Sequence, residues 1–277
     1  MAQKGCGCLP FLLAGILAAA WMTQDVTPPT VTVERFDPRS PRRPLPQDSG
    51  ETFIIEDRPG GPMNSMGTAF AVDRDGVWMT AGHVTQGCTR VGLEDGRFAQ
   101  PIARVIESTE ADAAIVPEGP EGADALPLAS QPPAPGAAGY HMGFPAGEPT
   151  IVLSELIGAA DARRGRAGLT QPVLAWAERA RIPGGDGPLS GISGGPVFIA
   201  SGNVVGINSA ATDRRGRILT ASPDAMMRLT TAAPALDDRP VAYPIGGPDD
   251  AQALFGRWLD RGVIRRIFCN VNEGPGG

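Results

Sequence analysis

From residue 52 onward, short apolar runs alternate with turn-forming residues. Runs at 52–55, 66–72, 77–80, 90–93, 101–106, 113–116, 139–143, 151–156, 173–177, 196–200, 204–209 and 218–221 each fit a strand. They recur at roughly ten-residue spacing, the pattern of an all-β barrel or sandwich. Asp73-Arg74-Asp75-Gly76, between the second and third runs, has the turn chemistry of a hairpin. Helical patterning is confined to a single turn at 82–86, a short stretch at 223–229 and an amphipathic stretch at 249–261. In the last of these, Leu254, Trp258 and Leu259 fall near helical spacing and predict a helix packed on the body. Residues 270–277 read as a frayed end.

Ahead of this body the texture differs. Residues 9–22 form an apolar run broken by Pro10 and Gly15, with Lys4 before it and Ala18-Ala19-Ala20 as small residues for cleavage. Residues 1–22 therefore read as a signal peptide or a short uncleaved membrane anchor. The protein is expected to be exported, periplasmic or extracellular. Residues 23–48 carry Pro28, Pro29, Pro38, Pro41, Pro44 and Pro46 and read as an extended linker, in which Val31-Thr32-Val33 is an edge-strand candidate.

Composition sharpens this picture without redirecting it. The 37 glycines and 28 prolines among 277 residues favour short strands and turns over long helices. A net charge of −6 gives no footprint for a nucleic-acid partner. Cys6 and Cys8 precede the apolar run and complete no zinc site. Cys88 and Cys269 lie in the exported part, where they form one bridge or remain as buried thiols.

The chemistry centres on Gly191-Ile192-Ser193-Gly194-Gly195-Pro196. A serine between glycines on a tight turn lets substrate approach, and the surrounding N–H groups can converge on a developing oxyanion. A hydroxyl becomes a nucleophile only when a base takes its proton, and imidazole suits that task. The chain has two histidines, His83 and His141. His83 follows a strand in Thr80-Ala81-Gly82-His83-Val84, whereas His141, in Tyr140-His141-Met142-Gly143, reads as structural. Among the carboxylates Glu107, Glu110, Asp112 and Asp124, Asp112 opens an apolar strand and suits an orienting partner behind His83. Two histidines do not build a His-rich metal site, and no metal or organic cofactor is implied.

Gly67-Thr68-Ala69-Phe70, the His83 and Ser193 stretches, and Ala111-Asp112-Ala113-Ala114-Ile115-Val116 together resemble the chymotrypsin-like (trypsin-like) serine protease superfamily. Within it they are most similar to the bacterial Deg/HtrA-type branch. The triad members stand 29 and 81 residues apart, in the order His, Asp, Ser. Gly143-Phe144-Pro145 resembles that branch's Gly-aromatic-Pro turn, and Val204-Val205-Gly206-Ile207-Asn208-Ser209 its substrate-pairing strand. The resemblance implies a double β-barrel with short helices over 49–236, a boundary between barrels near 130–138, and a C-terminal extension over 237–277 with one helix. It implies a protein or peptide substrate and a serine endopeptidase. Ser193 would be the nucleophile, His83 the base and Asp112 its orienter. Gly191 and Ser193 N–H groups would form the oxyanion hole, and Ser209, Ala210 and Ala211 would pair with substrate. The small residues Ser209, Ala210 and Ala211, with Gly187 six positions before Ser193, imply a pocket for small or medium apolar side chains.

Several departures qualify the resemblance. Ile192 stands where the digestive enzymes carry an aspartate that pairs with a new N-terminus, so that mode of activation is not expected. The residues after 229 are too few for a PDZ domain. No histidine follows Ser193, which excludes the Ser, acid, His order of α/β-hydrolases. The rival reading from another class is an idle or partner-activated protease fold that serves as a binding or regulatory module.

Overall fold

The computed structural model describes residues 29–38, 48–55, 63–164, 170–212, 216–236 and 239–271. Residues 1–22, read as a signal or anchor, lie outside these. No helix among the described residues is long and apolar enough to cross a membrane.

The strands in chain order are β1 (Thr32–Phe36), β2 (Asp48–Ile55), β3 (Ser65–Asp73), β4 (Val77–Thr80), β5 (Arg90–Asp95), β6 (Phe98–Ile102), β7 (Arg104–Ser108), β8 (Ala114–Val116), β9 (Ala138–Gly143), β10 (Thr150–Arg164), β11 (Thr170–Ile182), β12 (Pro196–Phe198), β13 (Val204–Thr212), β14 (Arg217–Ala221) and β15 (Ile264–Asn270). Among the described residues, three short α-helices and the 3₁₀ turn Pro145–Gly147 join them; the α-helices are α1 (Gly82–Thr85), α2 (Pro223–Thr230) and α3 (Pro248–Asp260). The architecture is mostly β, with the short helices expected of a chymotrypsin-type fold.

Two sheets form the body. The first runs β1-β7-β8-β4-β3-β15-β5-β6 and curls into a half-barrel without closing. The second runs β11-β14-β13-β12-β9-β10, and pairing of β10 with β11 closes it into a six-stranded barrel, with β2 added outside β10. The predicted hairpin at 66–80 is β3–β4; Gly76 at its turn has φ +85°, which glycine adopts without steric cost. Trp78, Phe70, Met79, Leu93, Ile102 and Ile115 fill the first core. Val152, Leu156, Leu174, Trp176, Leu189, Ile192, Val197, Val205 and Ile218 fill the second.

The edge-strand candidate of the 23–48 stretch is found as β1, which lies at the edge of the first sheet and pairs in parallel with β7 from Thr32↔Arg104 to Phe36↔Ser108. Two features exceed what the pattern predicts. β10 and β11 run 15 and 13 residues, well beyond the apolar stretches at 151–156 and 173–177. Their outer halves are rich in alanine, and Ala160, Ala162, Val173 and Ala175 pack with Phe53 of β2. The C-terminal extension adds a strand to the expected helix. β15 inserts between β3 and β5, so the last described strand completes the first sheet. Helix α3 packs on the body as predicted, with Trp258 stacked on Phe198 of β12 at 4.4 Å between ring centroids.

Candidate active site

His83 lies on α1, the single turn that follows β4. Its side chain is 15% exposed and that of Asp112 is 9% exposed, so both sit at the edge of solvent. Asp112 lies on the bend before β8, which pairs with β4, so the sheet carries the carboxylate to the histidine. The His83 backbone N–H donates to Asp112 Oδ1 at 2.8 Å, and His83 Nδ1 lies 2.7 Å from Asp112 Oδ2. An ionised carboxylate only accepts, so the Nδ1 proton points at Asp112 and the Nε2 lone pair is left for chemistry.

The other three carboxylates are engaged elsewhere. Glu110 accepts from Arg228 at 2.7 Å, and Asp124 accepts from Arg74 and Arg261. Glu107 is buried; Thr85 of the His83 turn donates to it at 2.9 Å, and Arg35 of β1 lies 3.3 Å away. Burial pushes the Glu107 carboxyl up, against the opposing effects of the Thr85 hydroxyl and Arg35.

The Ser193 turn is fixed by backbone and core. Gly194 N–H donates to Asn208 O at 2.7 Å, and Asn208 N–H donates to Gly195 O at 2.9 Å, so β13 grips the turn. Thr68 grips it from the other sheet: its N–H donates to Ser193 O at 2.8 Å and its hydroxyl to Gly191 O at 2.7 Å. Ile192 is buried in the second core. It anchors the turn, with about 2 kcal/mol from burying such a side chain. Gly191 has φ +106°, and a side chain there would strike the Phe144 carbonyl. Among the described residues, no hydrogen bond engages the Gly191 and Ser193 N–H groups or the Ser193 hydroxyl.

The two turns meet across Gly67. A Cβ on Gly67 would lie 2.8 Å from Val84, next to His83, and 2.9 Å from Ser193 O. His83, Asp112 and the Ser193 turn therefore gather around the start of β3, at the junction of the two sheets.

Ser209 has a contact that the sequence does not reveal. It is buried, and its hydroxyl donates to Asp112 Oδ2 at 2.5 Å. A small hydroxyl on a strand gives no sequence signal for this bond. Beyond Asn208, β13 pairs only with β14 among the described residues, so 209–211 present a free edge on the side of the Ser193 turn. His141 is fully buried, with Nδ1 2.6 Å from Asn208 Oδ1 and Nε2 2.7 Å from Ser154 Oγ, as suits a structural histidine. Cys88, three residues beyond the His83 turn, is bonded to Cys269 of β15. Of the two cysteine alternatives, the bridge is the one found.

A family model described as "Trypsin-like peptidase domain" matches residues 67–207. The Synechocystis protein HhoA, named for a serine protease, is 27% identical over 207 residues, covering 72% of this chain and 50% of its own. The chain thus spans about half the length of that curated relative. The active form of the Rv3671c protease of M. tuberculosis superposes with a TM-score of 0.49 at 20% identity, covering 74% of this chain and 96% of that one. The HtrA-type protease AlgW with a tripeptide gives 0.46 at 19% identity, covering 61% and 55%.

Proposed function

The chain belongs to the trypsin-like peptidase domain family, and we propose that it is an exported serine endopeptidase of the HtrA type. Ser193 Oγ attacks the scissile carbonyl carbon while His83 Nε2 takes the hydroxyl proton. The carbonyl oxygen becomes an oxyanion held by the N–H groups of Gly191 and Ser193. Collapse breaks the C–N bond, His83 returns the proton to the departing amine, and water hydrolyses the acyl-enzyme by the reverse sequence. Asp112 keeps His83 in the required tautomer, and Ser209 orients Asp112. The free edge at Ser209, Ala210 and Ala211 takes substrate backbone as an added strand.

The observation that carries this reading is the Asp112 carboxylate, which engages both the backbone N–H and Nδ1 of His83 at 2.8 and 2.7 Å. The Gly191 and Ser193 N–H groups, which make no hydrogen bond among the described residues, favour a competent turn over an idle module. Export rests on the apolar run at 9–22 and the Cys88–Cys269 bridge.

A fluorophosphonate, which labels only an activated serine, tests the reading on full-length protein. Wild type is expected to label, whereas Ser193→Ala and His83→Ala are expected to stay blank. A folded wild type that does not label, or a Ser193→Ala variant that labels as well as wild type, sinks the assignment.

A further inference from the structure

The turn that shapes the Gly191–Ser193 segment is itself held by a side chain from the far end of the chain. Phe144 and the 3₁₀ turn Pro145–Gly147 lie directly against the Ser193 turn. Ala146 N–H donates to Ser190 O at 2.8 Å, and the Phe144 carbonyl closes off the space above Gly191. Ala146 has φ +52°, a left-handed conformation that costs a non-glycine residue on the order of 1 kcal/mol. Such a turn keeps its shape only when its surroundings hold it.

Arg266 supplies that hold. It lies on β15 opposite Thr68, the residue that grips Gly191 and Ser193 from β3. Its guanidinium donates to Gly147 O from Nη2 at 2.7 Å and from Nε at 3.2 Å. Its Cζ stands 4.4 Å from the centroid of the Phe144 ring. Glu94 of β5 accepts from Nη1 at 2.6 Å and fixes the guanidinium from behind. The planar fork thus fastens both ends of the 144–147 turn at once, through a carbonyl and a ring face, which a lysine ammonium does not do. Arg266 lies outside the residues 67–207 that match the family model, so the brace belongs to this chain's C-terminal extension.

We infer that Arg266 is a positioning residue that holds the Gly191–Ser193 turn in the conformation presenting its two N–H groups, acting through Phe144 and Gly147. The inference rests on the proposed reaction, and it makes the docked β15 a condition of catalysis. Loss of the brace costs transition-state stabilisation rather than substrate binding. It displaces the oxyanion donors without deleting them, so the penalty falls below the hundredfold or more of a lost donor and is about tenfold.

The test uses full-length wild type, Arg266→Ala, Arg266→Lys and Glu94→Gln. The readouts are fluorophosphonate acylation rate, Tm and amide hydrogen exchange of peptides spanning 144–147 and 189–193. The expected result is an acylation rate about tenfold lower in Arg266→Ala, faster exchange in both peptides, and partial recovery with millimolar methylguanidinium. Arg266→Lys should fall between wild type and alanine. Glu94→Gln, which loses the ion pair but keeps an acceptor for Nη1 and leaves the Gly147 contact, should lose rate less than Arg266→Ala does at an equal loss of Tm. The inference is overturned if Arg266→Ala acylates and exchanges as wild type does. It is equally overturned if rates across the variants simply follow Tm. Should Arg266→Ala not fold, Arg266→Lys decides by the same two readouts. A wild type that does not acylate overturns the proposed reaction instead, and the exchange comparison alone then decides the brace.

Discussion

Ser154, His141 and Asn208 form a line of polar groups inside the second barrel, with the edge of the His141 ring against Trp176 at 5.3 Å between centroids. Burial lowers the His141 pKa to about 4, with the Asn208 contact working the other way. Neutral imidazole is what this site accommodates, and acid should therefore tax the fold. The unfolded chain takes up this proton near 6.5, but the native protein does so only near 4. Between these values the unfolded state binds more protons, so stability falls as pH drops from 6.5 towards 4 and levels off below. The full span corresponds to about 3 kcal/mol. Buried Glu107 works in the opposite sense, because its raised pKa favours the fold at low pH and the benefit is lost as pH rises. Urea midpoints measured from pH 7 to pH 4 should drop in wild type and drop less in His141→Gln. Parallel curves for the two proteins would remove His141 as the cause.

At the scale of elements, β13 links the parts of the site. Its first half pairs with β12, Asn208 grips the Ser193 turn, Ser209 reaches Asp112, and 209–211 leave an edge open. Ala211→Pro removes a backbone donor from that edge without touching Ser193 or His83. Hydrolysis of peptides long enough to pair should fall by up to about tenfold in kcat/KM, from the loss of one hydrogen bond, while labelling by a small fluorophosphonate stays at the wild-type rate. Equal losses in both assays would mean that the substitution disturbs the Ser193 turn instead. The core of β13 and the β3–β4 hairpin are legible in the sequence, because alternation and turn residues mark strands buried on a fixed face. The outer halves of β10 and β11 are not, because alanine, glycine, aspartate and arginine there carry no pattern and the ladder between the two strands decides. β15 escapes for a related reason: Arg265 and Arg266 interrupt its apolar residues, and its place is made by β3 and β5. His83, Asp112 and Ser193 are legible because nucleophilic chemistry demands those residue types in a resembling order. Ser209 on Asp112 and Arg266 on Gly147 are not, since each depends on a partner more than 95 residues away in the chain.

In the whole molecule, the C-terminal extension acts as a strap over both sheets. Trp258 of α3 stacks on the second barrel, β15 completes the first sheet, and Cys269 is bonded to Cys88 beside the His83 turn. The bridge closes a loop of sequence separation 181, a long span for a cross-link. In the chain-entropy picture its removal frees the unfolded chain by up to about 5 kcal/mol, and native bridges typically contribute about 2–5 kcal/mol. The strap also has noncovalent holds: six β15 residues register with β3, and Arg266 remains on Gly147. Replacing both cysteines, as Cys88→Ser with Cys269→Ser, should therefore cost stability more than it costs the site. Denaturant midpoints should fall well below wild type, while acylation at 25 °C, measured far from the unfolding transition, should stay within about twofold, because the replaced atoms lie outside the reacting set and the effect of the bridge acts on the unfolded chain. Matched midpoints would show that the β15 pairing alone secures the strap. A midpoint loss accompanied by lost acylation in folded protein would show that the bridge itself positions the His83 turn.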